Sequence, residues 1–349
     1  MRARWAFAVV LLVAACGGAA GQPAAQTSAS SSRMPSPSAT SPEPTNSPSV
    51  LPLTTVEFSC MLPVYGHAEL STGAFISFPA ATLSPSNESG YYYDRAVSRW
   101  VPVSREAVSP DGRRYAYTDG WTLNPPTAPT LHIVDAATRN ELRIATMPDA
   151  QPYHVIDFTI AGIYLVISFE GTAPGVWRFD PATGAVAKVS EGYYQPAGAG
   201  WISLIDPRDP NPATSAMTGQ PQPNRIDRRD STGATVSWFY KPGFALFGVG
   251  FAGTPALLVE ADRQDLSPAM YTSELWLVTA PGRQLRLAAY SGNGQAPTTD
   301  TDLSSGLHSS IADQHGIWVG GGHSVYLVKP NGAILRVYGQ SGYPANGCF

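Results

Sequence analysis

One short pattern recurs six times along this chain and narrows what it can fold into. It reads as a β-hairpin: alternating apolar residues, a turn rich in Asp, Pro, Thr, Asn or Gly, then a second short run. The copies are 131–139 (LHIVDAATR), 176–184 (VWRFDPATG), 225–233 (RIDRRDSTG), 275–282 (LWLVTAPG) and 325–332 (VYLVKPNG). A degenerate first copy stands at 91–100 (YYYDRAVSRW). Successive copies begin about 40 to 50 residues apart, the period of one small supersecondary unit. Upstream of each copy lies a second pattern, a short run that is apolar on both faces. These runs cover 74–78, 114–117, 163–167, 201–205, 256–259 and 317–319, and they read as buried inner strands.

Two patterns alternating six times predict six four-stranded antiparallel units over 53–349. A small sheet cannot bury both faces alone, and radial stacking lets each unit cover the next. The fold class expected is therefore all-β, a six-bladed β-propeller of four-stranded antiparallel blades. Composition agrees. Gly (33), Pro (32), Tyr (16) and Trp (8) supply turns and aromatic strands, and charged residues are only 14%. The alternative is a sandwich or barrel of the same hairpins, but neither needs one unit repeated six times. A helix over 131–147 is rejected because the aligned copies carry Asp-Pro or Pro-Asn-Gly in mid-run.

The most complete unit begins with the turn Ser109, Pro110, Asp111, Gly112, followed by a short strand holding Tyr115 and Tyr117. Pro presets φ for such a turn, and Gly takes the position with φ > 0. This unit resembles the repeats of TolB-like and related WD40-like bacterial periplasmic propellers. The other five units keep the hairpin and lose the turn, so the resemblance bears on fold. It implies protein partners bound at the ring and carries over no contact residue.

The front of the chain has a different character. Arg2 and Arg4 precede an apolar run from Trp5 to Ala15, so 1–15 reads as a signal peptide. Val13, Ala14, Ala15 and Cys16 resemble the bacterial lipobox. That resemblance implies a lipidated, fatty-acylated Cys16 at the mature N-terminus, with an ordinary signal peptide as the alternative. Residues 16–52 are dominated by Gly, Ala, Gln, Ser, Thr and Pro, and read as a disordered tether before the propeller at 53–349. The expected place is the bacterial cell envelope, with the domain outside the cytoplasm and held to a membrane by lipid. Net charge is −4 and the only lysines are Lys188, Lys241 and Lys329, which excludes nucleic acid as a partner.

With Cys16 assigned to lipid, Cys60 and Cys348 remain, one near each end of the domain. An oxidising compartment favours pairing them across the seam of the ring, with two buried free thiols as the alternative. Residues 55–60 alternate like a strand. They are expected to complete the last blade from the N-terminal side.

Propeller sites usually lie at a mouth of the central channel. Residues placed there by the repeat are His154, Asp157, Asp206, Asp209, Asp300, Asp302, His308, Asp313 and His315. Carboxylates would suit Ca²⁺ or Mg²⁺, and imidazoles Zn²⁺. No tight metal-ligand spacing appears, and Asp and His also serve turns and caps. Arg225, Arg228 and Arg229 fall in an outer hairpin and are expected to be solvated, and the Pro-rich insert 206–223 to be a mobile loop. No Gly-x-Ser-x-Gly elbow, His-Glu-x-x-His helix or P-loop occurs. Two readings stay open. One is a tethered module, needing no cofactor, that binds a protein or an envelope glycan. The other is a six-bladed propeller hydrolase or lactonase with a divalent cation at the channel mouth.

Overall fold

A computed structural model describes residues 51–349 except 68–69, 168–174, 191–192, 195–200, 215–220, 230–233, 252–253, 267–268, 294–308 and 322. The first sheet holds β1 (Cys60–Tyr65), β2 (Ala74–Phe78) and β3 (Thr82–Pro85). Next come β4 (Tyr92–Asp94) and β5 (Arg99–Val101), paired with each other in a two-stranded sheet of their own. A 3₁₀ turn at Arg105–Ala107 leads into the second sheet. That sheet has β6 (Arg114–Asp119), β9 (Thr130–Asp135) and β10 (Glu141–Thr146), with a small ribbon of β7 (Thr122–Leu123) and β8 (Pro126–Thr127) between.

The next four sheets each run in chain order. The third is β11 (Tyr153–Thr159), β12 (Gly162–Ile167), β13 (Val176–Phe179) and β14 (Val186–Ser190). The fourth is β15 (Tyr193–Tyr194), β16 (Trp201–Leu204), β17 (Arg225–Arg229) and β18 (Thr235–Tyr240). The fifth has β19 (Ala245–Phe251) and three long strands, β20 (Thr254–Leu266), β21 (Ala269–Ala280) and β22 (Arg283–Asn293). The sixth is β23 (Ser309–Asp313), β24 (Gly316–Gly320), β25 (Val325–Val328) and β26 (Ile334–Tyr338). The last strand, β27 (Tyr343–Pro344), crosses back to pair with β1 and takes the first place in the first sheet, in the order β27, β1, β2, β3. The strand pairings within the six sheets are antiparallel, as hairpin connections require.

Apolar layers between sheets set the ring. Ala116, Leu131 and Ile133 of the second sheet pack with Phe158, Ile163, Leu165 and Phe179 of the third. Trp201 and Ile226 of the fourth pack with Leu246, Leu257 and Val259 of the fifth. Leu258, Leu275 and Leu277 of the fifth face Ile317, Val319 and Tyr326 of the sixth. Leu62, Val64 and Ile76 of the first close on Trp318, Leu327 and Val337 of the sixth. A strand buried on both faces reads as a continuous apolar run, and β24 (GIWVG) and β25 (VYLV) are buried at every position. First strands meet across neighbouring sheets, β19 beside β23 and β23 beside β27, which puts them around the axis. The result is a six-bladed β-propeller.

The outer hairpins of the second to sixth sheets match the expected copies, with 230–233 of the fourth outside the described residues, and the turns at Asp135 and Asp180 show the signature's chemistry. Asp135 Oδ1 accepts hydrogen bonds from the Ala137 and Thr138 N–H groups and the Thr138 hydroxyl. Asp180 repeats this with Ala182. Such Asx turns reverse the chain without a helix.

Four expectations change. The copy at Tyr91–Trp100 is not the outer hairpin of the first blade, because β2 pairs with β3 instead and leaves β4–β5 as a separate element. Residues 55–59 form no strand; only Leu53 bridges, in parallel, to Arg336 of the sixth sheet, and Cys60 opens β1. Closure therefore runs mainly the other way, with a C-terminal strand entering the N-terminal blade. The second sheet has three strands where the repeat predicts four. At the base of the insert 206–223, Asp209 accepts from Asn224 Nδ2 and the Gly243 N–H, both at 2.8 Å, and 215–220 lie outside the described residues. Arg225 is not solvated: it is paired with the buried carboxylates of Asp206 and Asp227 at 2.9 Å each. Arg228 is likewise half-buried, over the rings of Trp201 and Trp238.

Cys60 and Cys348 form a disulfide, with Cα atoms 5.5 Å apart. Beside it the Met61 N–H donates to the Phe349 carbonyl and the Phe349 N–H to the Met61 carbonyl, so the tail is also held by a short backbone ladder.

Candidate functional site

The site begins with the displaced hairpin. β4–β5 stays on the ring because Trp100, 1% exposed, fills a notch over Gly73. A Cβ on Gly73 would lie 2.3 Å from the Trp100 ring, so the notch needs glycine. Tyr93 stacks on Phe349 at 5.8 Å, and its N–H donates to the Ala345 carbonyl. Asn346 Nδ2 donates to the Tyr92 hydroxyl at 3.0 Å and to the Tyr93 carbonyl at 2.8 Å. The hairpin is thereby fastened to the C-terminal tail, at the end of the ring where first strands turn back into second strands.

Between hairpin, tail and ring lies a cavity of about 570 Å³. This is within the usual range for a small-ligand site, about 300–1,000 Å³. Five separate segments line it: the hairpin (Tyr92, Asp94–Ala96), the 3₁₀ turn (Arg105, Glu106), Val108–Gly112, the end of β11 (Asp157–Thr159) and Asn346. The Ser109–Gly112 turn is thus a wall of the cavity. Gly112 has φ of 68°, and a Cβ there would meet Ala96 Cβ at 2.6 Å and Asp94 Oδ1 at 2.8 Å. Glycine lets this turn close against the hairpin.

Charge in the cavity is mixed. Asp94 is 2% exposed; its Oδ1 accepts from the Ala96 N–H at 2.9 Å, and its buried Oδ2 has no hydrogen-bond partner. Burial raises its pKa, the Ala96 and Val97 N–H groups oppose this, and the nearby Asp111 charge adds to the rise. Asp111 goes the other way: the Ser109 hydroxyl at 2.6 Å and the Arg113 N–H at 3.1 Å hold its carboxyl below the usual range. Arg95 lies over the Phe349 ring at 5.0 Å.

Of the residues placed at a channel mouth by sequence, Asp157 lines this cavity. His154 lies on the same strand but is exposed and outside the lining. Asp313 sits at the seam, accepting from the Trp318 indole N–H and the Cys348 N–H at 2.7 Å each. His315 stacks on Phe58 at 3.8 Å. The Asp206 side chain is fully buried and accepts from Arg208 and Arg225, which hold its carboxyl well below the usual range. Asp300, Asp302 and His308 lie outside the described residues. Among the described residues no group of three or more His, Cys, Asp or Glu is placed to hold a metal ion. Sequence reasoning missed Asp94, Arg95, Arg105, Glu106 and Asn346. The one available signal was that the Ser-Pro-Asp-Gly turn survives in a single unit.

No protein-family model and no curated protein matches the chain. Among solved structures it is similar to TolB from Acinetobacter baumannii, at 14% identity and a TM-score of 0.37, over 83% of this chain and 67% of that one. It is similar also to BamB from Moraxella catarrhalis, at 12% identity and a TM-score of 0.37, over 84% and 93%. The blade count and the closure rest on the sheet order described above.

Proposed function

We propose that this protein is an envelope-tethered propeller that acts as an interaction module, with a partner protein bound at the end of the ring that carries the cavity. In this reading 1–15 is a signal peptide, Cys16 carries the lipid, 16–52 is the tether and 53–349 is the binding domain. The observation that carries it is the cavity, walled by a hairpin that the ring does not need for closure. Supporting it are the lipobox-like end of the apolar run, the unpackable composition of 16–52 and a disulfide suited to an oxidising compartment.

Site-specific photocrosslinking in the native envelope tests the reading. A photoreactive residue at Glu106, on the cavity wall, is expected to yield a discrete adduct with one protein. The same residue at Leu285, exposed on β22, is the control and is expected to yield none. Adducts at Leu285 alone would move the binding face elsewhere. The anchoring half has its own test. Cys16→Ala is expected to shift the protein from the detergent phase to the aqueous phase on phase partitioning. A variant that partitions like wild type would exclude lipid on Cys16.

A further inference from the structure

The hairpin β4–β5 has two ends, and each lines a different space. Its turn at Asp94 lines the cavity, while its open end, at Gly90, Tyr91 and Pro102, and the loop after β1 line a second pocket of about 320 Å³. That volume lies at the lower end of the range for small-ligand sites. Two rings form a corner of this pocket. Tyr65 and Tyr91 stand with centroids 5.4 Å apart and planes at 90°, and Tyr343 backs Tyr65 at 5.3 Å. Tyr343 is itself packed on Gly66, where a Cβ would come within 2.4 Å of its ring. Tyr91 remains 60% exposed, so the corner is open to solvent. The Ser89 hydroxyl donates to the Ser71 carbonyl at 3.2 Å and ties the hairpin to the loop. The hydroxyls of Ser71, Thr72 and Tyr91 have no hydrogen-bond partner among the described residues, and the described lining carries no charged side chain.

These features narrow the occupant. An ion would meet no opposite charge in the described lining, and a wholly apolar group would bury the hydroxyls unpaired. A sugar ring meets both demands. The C–H groups of one of its faces lie against the negative face of an aromatic ring, and its hydroxyls both donate to and accept from side-chain hydroxyls at its edge. We propose that this pocket binds one ring of a neutral saccharide, with Tyr91 as the stacking platform and Ser71 and Thr72 as hydrogen-bond partners. Tyr65 is already held between Tyr343 and Tyr91, so little ordering of the corner is left to oppose binding. The pocket is separate from the cavity, and its occupant does not depend on a partner bound there.

Saturation-transfer-difference NMR on the purified full chain tests it, since that method reads weak binding. The probes are maltotriose, mannotriose and triacetylchitotriose, with sorbitol as a polyol that has no ring and tetraproline as a neutral peptide. Saturable transfer to at least one trisaccharide is expected, strongest at ring C–H protons, with none to sorbitol or tetraproline. Tyr91→Ala should weaken that binding about tenfold or more, and Tyr91→Phe, which keeps the ring, should stay within about threefold of wild type. If a thermal melt shows Tyr91→Ala unfolded, Thr72→Val is used, and the loss of one neutral hydrogen bond should weaken binding about threefold or more. No transfer to any of the three trisaccharides, equal transfer to sorbitol, or binding of tetraproline in their place would overturn the proposal. So would unchanged affinity in the folded variant, or a loss in Tyr91→Phe equal to that in Tyr91→Ala.

Discussion

His132 shows how single residues on this ring are tuned by their neighbours. Its imidazole lies between Asp119, at 2.9 Å, and Glu141, and stacks on Tyr117 at 4.7 Å. Partial burial pulls its pKa down, but the hydrogen bonds and charges of the two carboxylates outweigh that, and the value stands above 6.5. A His raised in the folded state adds stability below its unfolded pKa and loses it as pH rises through the folded value. Urea unfolding of wild type and His132→Gln at about pH 5.5 and about pH 8.5 should therefore show a gap that shrinks at the higher pH. A gap independent of pH would exclude this role. Asp313 makes a different prediction. It satisfies the indole N–H of Trp318, which is 0% exposed, and the backbone of Cys348. Asp313→Ala leaves that buried donor unpaired and should cost about 1–3 kcal/mol in chemical denaturation. Unchanged stability would show the donor re-satisfied elsewhere.

At the scale of elements, β4–β5 is the piece that matters most for the site. Trp100 anchors it among Phe75, Tyr93 and Gly73. Trp100→Ala should cost about 3–5 kcal/mol in thermal or urea unfolding. A loss well under that range would mean that the hairpin is held mainly by Asn346 and Phe349. The same hairpin marks where sequence reading stopped. Its turn at Asp94 follows the local rule seen at Asp135 and Asp180, because a carboxylate accepting from the N–H two residues on makes the same turn anywhere. Turn chemistry is local and does not report which sheet a hairpin joins, so 91–100 looked like a blade and is not one. The outer hairpins of the other five sheets were legible because the first strand of each copy pairs directly with its inner run, whereas β3 takes that place on β2 ahead of 91–100. β27 was invisible for another reason: two residues, one of them proline, give no alternation to read. The cavity was out of reach altogether, since its walls come from five segments that only the closed ring brings together.

The whole molecule depends on how its ends are joined. β27 completes the first blade, Leu53 bridges to Arg336 on the sixth, and Cys60–Cys348 spans a separation of 288 residues. For a loop of that length the chain-entropy formula gives about 5 to 6 kcal/mol, an upper figure because long-loop disulfides often deliver less. Reduction should therefore lower the melting temperature sharply. It should also loosen the end of the ring where Asn346 and Phe349 hold the hairpin. The seam and the candidate site are thus one piece of structure, and the bond across the seam is the feature on which both rest. A non-reducing peptide map of the purified protein, read by mass spectrometry, tests that bond directly. The predicted result is the Cys60 peptide covalently joined to the Cys348 peptide, separating on reduction, with no titratable thiol at either residue under denaturing conditions. Two free thiols at Cys60 and Cys348 would contradict it.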